Sequence, residues 1–145
     1  MTGSAFAATR LPGASGTRTT PSEYQPGICN IGPAEIARRR RAGHVGLVVA
    51  GILLAILVAI SSPPFARLLV ALPAAGAASG YLQAALKFCA GFGSRGLFNF
   101  GPVGSTERAR DPADRARDRA RARQIGLASL AIGVAVGIVA ALLPL

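Results

Sequence analysis

Three stretches of the chain are apolar almost without interruption, and the polar positions between them are gathered into blocks. The first run is His44 to Ile60 (HVGLVVAGILLAILVAI), ended by Ser61, Ser62, Pro63 and Pro64. The second, Phe65 to Leu86 (FARLLVALPAAGAASGYLQAAL), carries one charge, Arg67, and the third, Ile125 to Leu145 (IGLASLAIGVAVGIVAALLPL), carries none. A helix on the surface of a soluble protein keeps a polar face at a period of about 3.6 residues; the third run has no such face, which argues against a soluble bundle. At about 1.5 Å per residue the first run reaches about 25 Å, near the lower limit for a hydrocarbon core of about 30 Å. The pattern therefore predicts an all-α polytopic membrane protein with three transmembrane helices, at about 44–62, 65–86 and 125–145.

Start and stop signals refine these elements. Pro33 follows Gly32 and suits the first position of a helix, with Glu35 in its first turn facing the positive helix end, so the first helix extends outward from the apolar run and carries Arg38 to Arg41. Pro73 lies inside the second run and predicts a kink, while Arg67 is near enough to the run's end to snorkel to an interface. Asp111, Pro112 and Asp114 give an N-cap, a first-position proline and a first-turn acid, predicting one helix of about thirty residues that begins as a charged juxtamembrane segment and continues into the third span. Asp114 with Arg117 and Asp118 with Arg121 are spaced to pair on its solvated surface.

Residues 1–32 are rich in Gly, Ser, Thr, Pro and Ala, with few large apolar side chains and no apolar stretch of signal-peptide length. They are expected to form a disordered cytosolic tail, because they bury too little surface to offset chain entropy. Residues 33–145 then form the membrane domain, with 87–124 as its cytosolic segment.

Charge fixes the direction. Lys and Arg number 16 against 6 acids, a net of +10, and fifteen of the sixteen are Arg. Arg38, Arg39, Arg40 and Arg41 precede the first span, Lys87 and Arg95 follow the second, and Arg108 to Arg123 precede the third, while the connection between the first two spans offers only Arg67. Short basic loops stay inside, so the expected topology has a cytoplasmic N-terminus and an external C-terminus, in the inner membrane of a GC-rich bacterium, as the Arg, Ala and Gly usage suggests. Residues 105–124 hold seven Arg and four acids, a net of 7 − 4 = +3. Arg115, Arg119 and Arg123 share one face, and with Arg38 to Arg41 they are the expected contacts to anionic phospholipids. No aromatic platform or motif accompanies these arginines, so nucleic acid is not expected as a partner.

Helices associate in lipid where small residues let backbones approach. Ser129, Gly133, Gly137 and Ala141 repeat at steps of four on the third span, and Gly76 and Gly80, continued by Ala84, do so on the second. Gly51, Ala55 and Ala59 repeat the spacing on the first, but 18 glycines in 145 residues make such matches common.

Composition also bears on the string FCAGFGSRGLFNFG, residues 88 to 101, where Gly91, Gly93 and Gly96 spell the G-x-G-x-x-G of dinucleotide sites. Such a site needs a strand before the string and a helix after it. Here a spanning helix precedes it, and Asp111, at the distance of a ribose ligand, lies beyond Pro102 without strand-helix alternation. Four of the chain's six phenylalanines, Phe88, Phe92, Phe98 and Phe100, fall in this string. They predict an interfacial aromatic segment packed against the helix ends or lying along the membrane surface.

Candidate chemistry is sparse. No charged residue lies deep in a span, which removes the usual ion site or proton relay. Tyr81 and Gln83 are placed to bond across helices. Cys29, His44 and Cys89 are the soft ligands, at spacings that match no zinc pattern, and a reducing compartment argues against a lasting disulfide between the two thiols. With one His and no acid near it, no catalytic constellation forms. Neither catalytic residues, metal, cofactor nor small-molecule substrate is expected. The function expected is binding, to other membrane proteins or to itself, as a subunit, assembly factor or scaffold; the alternative is a small channel or transporter formed by oligomerisation.

Overall fold

A computed structural model of the chain describes residues 24–144; the tail expected over 1–32 falls for its first 23 residues outside that range. The chain is mostly helical. Helix α1 runs Pro33–Ala59, a 3₁₀ segment Pro64–Val70 leads into α2 at Ala71–Ala85, α3 is a six-residue helix at Ala90–Arg95, and α4 runs Pro112–Leu142. A minimal antiparallel ribbon, β1 at Leu97–Phe98 with β2 at Glu107–Arg108, departs from the all-α expectation.

Three helical segments, Pro33–Ala59, Pro64–Ala85 and Pro112–Leu142, are long and apolar enough to cross a membrane. The start of α1 at Pro33 and that of α4 at Pro112 follow the sequence signals: the Asp111 side chain accepts from Ala113 N at 2.8 Å, and α4 continues unbroken for 31 residues. Pro73 lies not inside an α-helix but in the first turn of one. It is the third residue of α2, where its missing N–H would have had no partner within the helix, and the chain before it is wound as 3₁₀.

Helix α2 lies between α1 and α4. Both contacts are backbone-close. A Cβ on Gly46 would come within 2.7 Å of Ala77 N, and one on Gly80 would strike the backbone of Gly43 and Arg39 in α1. On the other side, a Cβ on Gly133 would lie 2.5 Å from Ala75 Cβ, and one on Gly137 2.8 Å from Ala71 Cβ. The buried positions of α1 within its apolar half are Gly43, Ala50 and Leu57, one heptad apart, so Gly51 points into open space.

Large side chains do the opposite. Val45, Leu47, Val48 and Ile52 on α1, Leu69 and Leu72 around the start of α2, and Leu127, Leu130 and Val139 on α4 are all exposed. Small residues form the seams and large apolar ones the outer surface. At the end of the bundle away from the arginines, Arg67 is buried and donates to Leu143 O at 3.0 Å; it holds the end of α4 instead of reaching outward.

Candidate functional site: a folded cap at the basic end

The other end of the bundle is closed by residues 24–32, the 87–111 segment and the first two turns of α1 and α4. Helix α3 begins because the Cys89 side chain serves as its N-cap, accepting from Phe92 N at 3.4 Å, and it stops at Gly96, whose φ of 67° is the left-handed conformation that a glycine adopts at little cost. Gly93 is required for a different reason: a Cβ there would sit 2.6 Å from the Phe88 ring. The glycines of the 88–101 string thus cap and pack a short helix between α2 and β1, an arrangement without the strand that a dinucleotide fold places first.

The last nine residues of the expected tail, 24–32, form a strap across this cap. Within it, the side chain of Asn30 is fully buried and clamps Cys89 from both sides, accepting from Cys89 N at 2.7 Å and donating to Cys89 O at 3.1 Å. Ile31 bridges to Asn99, with Asn99 N to Asn30 O at 2.9 Å and Gly32 N to Asn99 O at 2.7 Å. The strap's other end is held by Asp118 of α4. This carboxylate is fully buried and accepts from Tyr24 Oη and from Gly27 N, both at 2.7 Å. Asp118 therefore does not pair with Arg121, which reaches Gln124 instead at 3.3 Å. Burial, then the hydrogen bond to Asp118 and its negative charge, push the Tyr24 phenol well above its ordinary value of 10.0.

Beneath the strap, Arg39 Nη2 lies 2.9 Å from Cys89 Sγ and 3.8 Å from Glu35 Oε2, and its guanidinium stands 5.9 Å from the Phe92 ring centre. Glu35 is fully buried, and Arg38 also approaches it, at 3.5 Å. Gln83 ties α2 to α3, accepting from Ala90 N at 3.0 Å and donating to Ser79 at 2.7 Å. Tyr81 meets His44 of α1 at 2.6 Å. Cys29 is half-buried, its sulfur 3.9 Å from Ile31 O.

The predicted site residues separate into groups. Phe88 is fully buried against Ala122 and Ile125 of α4, Phe92 lies under Arg39, Phe98 stacks on Tyr24 at 4.5 Å, and Phe100 tilts toward Phe98 at 6.2 Å. The aromatic segment is a folded part of the cap. On α4, Ser129, Gly133 and Gly137 face inward, and Ala140 completes the seam in place of Ala141, which is half-buried. On α2, Gly80 is in the contact but Gly76 is exposed with nothing near it; Ala77 takes the inward position.

Of the seven arginines expected at headgroups, Arg39 turns inward to Cys89, Arg38 pairs with Glu35, and Arg115 donates to Ala109 O and Arg110 O, both at 3.0 Å. Arg40, Arg41, Arg119 and Arg123 meet no carboxylate or hydrogen-bond acceptor among the described residues. Arg119 and Arg123 line an open groove of about 450 Å³ between α3 and α4, together with Ala90, Ser94 and Ala122. Asn30, Asn99 and Asp118 are central to the cap and were not singled out from sequence as anchors; the partners that reveal their roles lie up to 94 positions away.

Compared with protein-family models, with curated proteins and with solved structures, the chain matches none.

Proposed function

We propose that this is a three-span integral protein of a bacterial inner membrane that acts by binding another membrane protein, as a subunit, assembly factor or scaffold, and that presents its strapped basic cap on the cytoplasmic side. The observation that carries this reading is the inverted distribution of side-chain size: glycines and alanines fill the seams while Val45, Leu47, Ile52, Leu72, Leu127 and Leu130 face outward. Water would penalise that surface by about 25 cal/mol for each Å² of apolar area, whereas lipid does not. Orientation rests on the basic residues, which among the described residues gather at the cap while only Arg67 stands at the opposite end.

Binding is favoured over conduction because a pore formed by several copies needs a polar stripe on its outward helix faces, and those faces carry Val, Leu and Ile. The small-residue seam of α4 is already occupied by α2 of the same chain, so self-association would have to use other surfaces.

Affinity isolation of the tagged full chain from membranes in mild detergent tests the reading. A second membrane protein in constant ratio is the expected result. Recovery of the chain alone at its monomer mass, or ion flux through proteoliposomes containing only this chain, would overturn it.

A further inference from the structure

The two arginines on the rim of the groove between α3 and α4 hold no other part of the cap among the described residues, and the groove's chemistry is uneven. Its floor is apolar, Ala90 and Ala122, and its rim carries two guanidinium groups, Arg119 and Arg123, with the hydroxyl of Ser94. Residues 119 and 123 are one helical step of four apart and so stand on the same face of α4. The acids of α4 leave them unneutralised. Asp111 caps the helix at Ala113 N, Asp114 pairs with Arg117 at 3.5 Å, and Asp118 is consumed by Tyr24 and Gly27.

The position along the helix is equally specific. Arg123 is the last charged residue of the chain; Gln124 follows, and the uncharged run begins at Ile125. Two unpaired guanidinium groups over an apolar hollow, at the junction of charged and apolar surface, offer planar donors to a phosphate and a greasy path for what is attached to it. The volume, about 450 Å³, is that of a small-molecule site.

We propose that this groove is a binding site for the phosphate of an anionic phospholipid, held by Arg119 and Arg123, with the glycerol end of the lipid over Ala90 and Ala122. Ser94, which now donates to Gly91 O at 3.0 Å, turns to donate to the phosphate. The site rests on the membrane reading given above, and it differs from general attraction to a charged surface because Arg40 and Arg41 are just as basic yet do not line this hollow.

The test is lipid retention by the full chain in mild detergent, measured by native mass spectrometry against added phosphatidylglycerol, phosphatidylcholine or inorganic phosphate. Wild type should hold phosphatidylglycerol in preference to phosphatidylcholine, and Arg119→Gln with Arg123→Gln should weaken that binding roughly 30-fold, because both cations that face the phosphate are then gone. Ala90→Leu, which fills the hollow without touching charge, should weaken it as well, while Arg40→Gln with Arg41→Gln leaves it nearly unchanged. Equal loss in the Arg40/Arg41 pair, or no loss in Ala90→Leu, overturns the groove in favour of diffuse charge. Displacement of the lipid by inorganic phosphate overturns the lipid as the ligand. Alkaline extraction of membranes separates this from the parent reading: a chain that stays with the membrane but shows no headgroup preference refutes only the groove, and a chain that is washed off refutes the membrane assignment itself.

Discussion

Asp118→Ala should open the strap while leaving the helices folded. The carboxylate accepts two hydrogen bonds at 2.7 Å, from Tyr24 Oη and Gly27 N, and the strap it holds covers Cys89 through Asn30. Hydrogen bonds to a charged group contribute about 1.5–3 kcal/mol each when fully buried. Tyr24 is only half-buried and water takes over its bond on release, so the lower end applies, about 2–3 kcal/mol for the pair. At about 1.4 kcal/mol per tenfold, the open population rises about 30- to 150-fold. Cys89, with no exposed surface in the closed cap, is a built-in reporter. In a Cys29→Ser background, maleimide labelling of Cys89 should accelerate by that factor in Asp118→Ala, since labelling follows the open population when reclosure is fast. Asp118→Asn keeps an oxygen for Gly27 N and should accelerate it only a few-fold. Labelling of Asp118→Ala at the wild-type rate, with helical content unchanged, would refute the anchoring role of this carboxylate.

Two further outcomes follow from particular contacts. The Tyr24 phenol holds its proton more tightly when the strap is closed than when it is open, so closure is fully supported below the ordinary value of 10.0 and is lost as pH rises above it toward the raised folded value. Phenolate absorbance of a Tyr81→Phe variant, in which Tyr24 is the remaining tyrosine, should therefore lag behind a free tyrosine on alkaline titration; coincident curves would remove the Asp118 bond. Gly133→Ile combined with Gly137→Ile drives side chains into Ala75 and Ala71, where a bare Cβ already comes within 2.5 and 2.8 Å, and overpacking at about 1–3 kcal/mol per site should lower the melting temperature of the monomer in detergent. Native mass with melting unchanged would mean that α2 and α4 do not pack through this seam.

Features that depend only on neighbours in the chain were legible from the residues alone. Three apolar runs specify three long helices because each residue's partition and each backbone hydrogen bond are local, and Pro33 and Asp111–Pro112 mark the starts of α1 and α4 because capping acts within one turn. The same locality explains what was not legible. Gly76 and Ala77 are equally small, and only the packing of α2 against α1 decides that Ala77 is inside and Gly76 outside. Asp118 reads as one more charge in an alternating helix until the strap, more than ninety positions earlier, is folded onto it. Arg39, Arg115 and Arg119 are alike in sequence, yet a thiol, a pair of carbonyls and an open groove give them three different surroundings. Polarity and spacing are properties of the chain, whereas burial and partnership are properties of the assembled cap, where chain entropy is offset only by contacts between segments that the sequence keeps far apart.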